Sequence, residues 1–61
     1  MMILFRISAP HFVAGFEYDS DKKVCISAAP IFNWMVGESG IDIWDYCKRN
    51  SYKLEIVKSN E

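Results

Sequence analysis

Two blocks of alternating apolar residues, Phe12–Tyr18 and Val24–Ala28, flank the short polar run Asp19-Ser-Asp-Lys-Lys23. No other feature restricts the fold as much. Successive strand side chains point to opposite faces, so Phe12, Ala14, Phe16 and Tyr18 share one face. His11, Val13, Gly15 and Glu17 take the other, and a mid-strand glycine such as Gly15 predicts a bulge or a close backbone approach. Val24, Ile26 and Ala28 alternate in the same way with Cys25 and Ser27. Short polar residues satisfy their own backbone in a tight turn, so this pattern predicts a β-hairpin.

Upstream, Ile3, Leu4, Phe5 and Ile7 are interrupted only by Arg6, which suits a central strand buried on much of both faces. Pro10 has no N–H for a ladder and belongs in the turn that follows. Downstream, the period changes at Ala29-Pro30. Proline is tolerated at the first helical position, and Ile31, Trp34 and Met35 fall on one face at helical spacing before Gly37 ends the segment. Ser39 opens a second helix, with Asp42 placed near its positive end. Ile41, Ile43, Trp44 and Cys47 supply its apolar side, Asp42, Asp45, Lys48 and Arg49 its wet side, and Asn50 a left-handed stop. Tyr52, Leu54 and Ile56 alternate with Lys53 and Glu55 in a closing strand, and the polar tail 58–61 is expected to fray.

The expectation is therefore a single α+β domain over residues 1–61. Its sheet is four-stranded and antiparallel, in chain order β-β-β-α-α-β and spatial order 4-1-2-3. Two short helices cover one face, and nothing in the chain covers the other.

At 61 residues the chain is near the lower limit for an unaided hydrophobic core, yet 51% of it is apolar and 15% aromatic. So many large side chains predict exposed apolar surface, and such patches mark interaction sites. The candidates for protein contact are Phe16, Tyr18, Trp34, Met35 and Trp44. Trp34, Met35 and Trp44 also read well as core joining helices to sheet, and the spacing leaves both readings open. The uncovered sheet face predicts a homodimer. A net charge of −1 exerts no strong pull on nucleic acid, which argues against such a partner, and the apolar run at the start is too short for a membrane span or a secretory signal. Cys25 and Cys47 lie among apolar neighbours and are expected to be buried, unbridged thiols in a cytosolic chain.

Residues with chemical potential have simpler explanations. His11 follows a proline at a strand entry, where histidine caps a turn or meets solvent more often than it acts as a base. Asp42 and Asp45 are accounted for by the helix dipole. Cys25, Cys47 and His11 fall one ligand short of a closed zinc site, unless two chains share one. Gly37 and Gly40 flank acidic Glu38, which would repel phosphate. No cofactor, metal or catalytic residue is expected. Lys22 and Lys23 at the hairpin tip, with Lys48, Arg49 and Lys53, keep a nucleic-acid accessory role as the alternative, although Glu17, Asp19 and Asp21 dilute the tip.

The strings Pro10-His-Phe-Val-Ala-Gly15, Ala28-Ala-Pro-Ile31 and Trp34-Met35 resemble a group of very short phage and prophage proteins. Their pattern continues with a Tyr-Cys helix and a final strand, matched here by Asp45-Tyr46-Cys47 and Leu54-Glu55-Ile56-Val57. The likeness spans nearly the whole chain, departing at the long, charged Asp19–Lys23 turn. It implies a phage-encoded protein acting in the cytoplasm of an infected bacterium, where it binds and disables a host protein. The large ATPase of the BREX restriction system is one such target.

Overall fold

The computed structural model describes residues 1–60. Strands β1 (Met2–Ala9), β2 (Phe12–Asp19) and β3 (Val24–Ala28) come first, followed by a 3₁₀ helix (Pro30–Met35), helix α1 (Gly40–Arg49) and strand β4 (Lys53–Asn60). The strands form one antiparallel sheet in the order β3-β2-β1-β4, as the composition of β1 demands. Both helical segments follow β3, and both contribute buried side chains to the same core.

The hairpin expectation holds at atomic detail. Asp19 Oδ1 accepts the N–H groups of Asp21 at 2.9 Å and Lys22 at 3.3 Å, so the turn satisfies its own backbone. These bonds hold the Asp19 carboxyl below its ordinary range. Lys23 then takes a left-handed conformation to re-enter the sheet. Gly15 sits in unbroken register opposite Arg6, and the bulge lies elsewhere. Cys25 pairs with Tyr18 and Ser27 with Glu17, so Ile26 is an extra residue on β3. That bulge overturns the expected alternation: Cys25 turns inward and Ile26 outward.

The first helix also departs from expectation. Its six residues wind as a 3₁₀ helix, with a kink at Phe32 (φ −116°, ψ 23°). Residues i and i+3 eclipse in a 3₁₀ helix. Phe32 and Met35 therefore align towards the core, while Ile31 and Trp34 align outward, in place of a shared Ile31–Trp34–Met35 face. Gly37, at φ +91°, provides the expected stop.

In α1, Ser39 Oγ accepts the Asp42 N–H at 3.2 Å, the cap foreseen from the sequence. At the other end Asn50 is not the left-handed residue. Ser51 is, at φ 58°, and the Tyr52 N–H closes on the Cys47 carbonyl at 2.9 Å. β4 carries a second bulge, at Val57, between the Phe5–Ile56 and Leu4–Lys58 pairs. β4 extends into the polar tail: Lys58, Ser59 and Asn60 pair with Leu4, Ile3 and Met2 of β1. Glu61, the last residue of the expected tail, lies outside the described residues.

The core consists of Ile7, Ala14, Phe16, Cys25, Phe32, Met35, Ile43 and Cys47. Both thiols are free and buried, and burial pushes each above its ordinary pKa of 9.0. The folded state thus favours the neutral thiol. This contribution to stability is complete below the unfolded pKa and is lost as pH rises through the folded value. The urea midpoint should accordingly hold steady near neutrality and fall above pH 9.0. Alkylation with iodoacetamide should require unfolding, and rapid labelling of the native protein would contradict the packing described.

Candidate interaction site

Helix α1 starts at the β3 edge, where Ser39 bridges to Val24, and its C-terminus leads through Tyr52 into β4. It therefore crosses the sheet diagonally and leaves two triangular areas of the inner face to be covered. The 3₁₀ helix fills one. There Phe12, Phe32, Trp34, Tyr46 and Tyr52 pack edge to face, with ring centroids 4.9–6.4 Å apart. This cluster absorbs much of the aromatic excess evident in the composition.

No element fills the other triangle. It is an open apolar groove of about 190 Å³, with Phe5, Phe16, Tyr18 and Leu54 of the sheet as its floor and Gly40, Ile43 and Trp44 of α1 as its wall. Phe5 stacks on Phe16 at 5.1 Å and meets Tyr18 edge-on at 6.0 Å, so the floor is made of packed rings. Ile56 lies opposite Phe5 on the same sheet face and is 63% exposed. Trp44 is 52% exposed, and Ile41 on the outer side of α1 is 79% exposed. Among the described residues Trp44 alone of the large aromatics packs against no other ring; Lys48 Nζ lies 4.5 Å over its indole instead.

Of the candidates read from the sequence, Phe16, Tyr18 and Trp44 converge on this groove. Phe16 forms the buried floor, Tyr18 the half-buried side and Trp44 the exposed wall. Trp34 belongs to the other aromatic cluster, where Phe32 and Tyr46 hold one side of it. Met35 is fully buried and offers nothing to a partner, because the 3₁₀ repeat turns it into the core. Ile56, beside Phe5 on the same face, and Ile41, on the outer side of α1, are also exposed and were not singled out. For Ile41 a signal existed: two residues along a helix is a rotation of about 200°, so Ile41 and Ile43 cannot both face the core.

The opposite sheet face, left uncovered as expected, is largely charged. Arg6 Nη2 pairs with Glu55 at 3.2 Å and Lys53 approaches the same carboxylate at 3.8 Å, with Glu17 and Lys58 nearby around a shallow hollow. Leu4, Val13 and the outward-turned Ile26 are exposed hydrophobic residues there. The excess apolar surface lies on the helical side.

The groups with chemical potential stay apart. His11 is exposed at the β1–β2 turn, with its ring against Phe12 at 4.9 Å. The thiols are buried and held protonated, the opposite of an activated nucleophile. Among the described residues no three His, Cys, Asp or Glu side chains converge as a metal-binding group, and no helix is long and apolar enough to cross a membrane.

Gly40 shows how closely the groove is built. A Cβ there would stand 2.8 Å from the Tyr18 hydroxyl oxygen and 2.9 Å from its ring. Gly40→Ala should cost about 1–3 kcal/mol in urea denaturation despite alanine's better helix propensity. The cost should vanish in a Tyr18→Leu background and persist with Tyr18→Phe, which keeps the ring. Equal costs in both backgrounds would rule out this contact.

Comparison with protein-family models, with curated proteins and with solved structures finds no match.

Proposed function

We propose that this chain acts by contact rather than catalysis, as a protein-binding module whose target seats an apolar side chain in the groove beside Trp44. The supporting observation is the groove itself: an apolar floor of packed rings, a half-exposed tryptophan as its wall, and the exposed Ile56 beside Phe5 on the same sheet face. Interface hot spots take this form, with an aromatic anchor beside a pocket and charges at the margin. The resemblance to short phage proteins suggests the kind of partner, a bacterial host protein held inactive by steric blockade within the bacterial cytoplasm. A defence ATPase of the BREX type is the first to test. No cofactor takes part in this reading.

The nucleic-acid alternative is less well supported. Phe12 and Phe16 are packed into the core on the helical side, and the residues lining the open groove include no basic side chain to hold a phosphate backbone. Arg6, Arg49 and Lys53 each pair with an acid.

Affinity capture from a bacterial host lysate, and separately with the purified BREX ATPase, tests the proposal when wild type and Trp44→Ala are run in parallel. A host protein retained by wild type and lost from Trp44→Ala is the expected outcome. Equal retention by both, or salt-sensitive retention of nucleic acid alone, would overturn it.

A further inference from the structure

The two edges of the sheet are treated differently. At β3 the chain covers its own edge: the Cys25 N–H donates to the Glu38 carbonyl at 3.0 Å, and the Gly37 N–H donates to the Cys25 carbonyl at 2.8 Å. At β4 the eight-residue outer edge has no neighbouring strand among the described residues. A long open edge is a template for pairing with another chain.

We propose that a second copy of this chain occupies that edge, β4 against β4, antiparallel about a two-fold axis between Ile56 and Val57. The argument rests on charge and register. Full overlap of Lys53–Asn60 with its symmetry mate sets Lys53 opposite Asn60, Leu54 opposite Ser59 and Glu55 opposite Lys58. The last pair occurs twice by symmetry, so the register with the most backbone contact also matches the charges. Slipping the copies by two residues places Lys53 against Lys58 in one direction and Glu55 against Asn60 in the other.

The faces agree as well, and the bulge at Val57 is the reason. Glu55 and Lys58 pair with Arg6 and Leu4 on the open side of the sheet, while Leu54 and Ser59 pair with Ile7 and Ile3 on the helical side. Without the extra residue, Glu55 and Lys58 would lie on opposite faces. With it, the two-fold axis stands perpendicular to the sheet. Both α1 helices then lie on one side, and the two grooves open on the same face. The exposed Ile56 and Val57 meet at the axis. This contact goes beyond the target-binding reading and does not depend on which protein enters the groove.

Sedimentation velocity on the purified chain, with circular dichroism as the check on folding, tests it. Wild type should run at twice the 7.1 kDa chain mass at high micromolar concentration. Glu55→Lys and Lys58→Glu should each weaken self-association by about tenfold or more, because each places like charges opposite one another twice. Mixed in equal amounts the two variants should recover a dimer, since one chain is then basic at both positions, the other acidic at both, and each cross-strand pair joins opposite charges. Val57→Lys, at a half-exposed position, should give a folded monomer. A wild-type monomer, a mixture that fails to associate, or a dimer indifferent to Val57→Lys would each overturn the proposal. Loss of target capture with the dimer intact would count against the groove, not against this interface.

Discussion

Trp44→Ala should weaken binding to the captured host protein by roughly 30-fold to 1,000-fold, the equivalent of about 2–4 kcal/mol at an interface hot spot. Its cost to the fold should be small. Trp44 has no ring partner, and its link to Lys48 is a cation–π contact of about 0.5–1 kcal/mol at an exposed site. Ile43 and Cys47, on the inner side of α1, remain in place to hold the helix. The ratio of the two effects identifies the role. A residue needed mainly for packing loses stability first and binding only in consequence, whereas a contact residue loses binding out of proportion to a small shift in the unfolding midpoint. Val13→Ala is the control. Val13 is more exposed than Trp44 but lies on the charged face, so its truncation should leave the affinity unchanged. Equal losses for the two variants would remove the groove from the account.

Phe32→Ala should be the most damaging truncation in the 3₁₀ helix. Phe32 is buried in the core and also meets Phe12, Trp34 and Tyr46 edge to face, so it joins the central core to the second aromatic cluster. Removing a buried phenylalanine costs about 3–5 kcal/mol. A domain of this size has a total stability on the order of 3–9 kcal/mol, so the variant should be largely unfolded without denaturant or melt at a far lower urea concentration. Ile31→Ala, one residue earlier, should cost no more than about 0.5 kcal/mol, because Ile31 points to solvent. The pair tests which side of the segment faces the core. A larger loss for Ile31→Ala than for Phe32→Ala would contradict the packing described.

How much of this could be read in advance depended on whether the cause was local. The strand order followed from Met2–Ser8, whose apolar residues need a neighbour on both sides. The hairpin followed from Asp19–Lys22, and the start of α1 from Ser39. Each of these signals is contained within a few residues. The bulges at Ile26 and Val57 carry no such mark, because they arise from how β3 and β4 register against their neighbours. The 3₁₀ winding of Pro30–Met35 was equally hidden. Six residues of helix have little propensity of their own, so their repeat is not fixed by local sequence.

The candidate site was partly legible for the same reason. Tyr18 and Phe16 were placed by strand alternation, and Trp44 by its position in α1. That they share one groove depends on the diagonal path of α1 across the sheet, which the bridge from Ser39 to Val24 sets. Met35 looked equally suited to contact until the 3₁₀ repeat buried it. Surplus hydrophobicity was visible in the composition, but its location was not: the face left bare by the helices is the charged one.

The most direct test is amide hydrogen exchange of the chain with and without its captured partner, read residue by residue. New protection centred on Tyr18, Gly40–Trp44 and Ile56 is the predicted footprint. Protection centred instead on Arg6, Glu17 and Lys58, or an unchanged exchange pattern at saturating partner, would contradict the claim that this groove is where the protein makes contact.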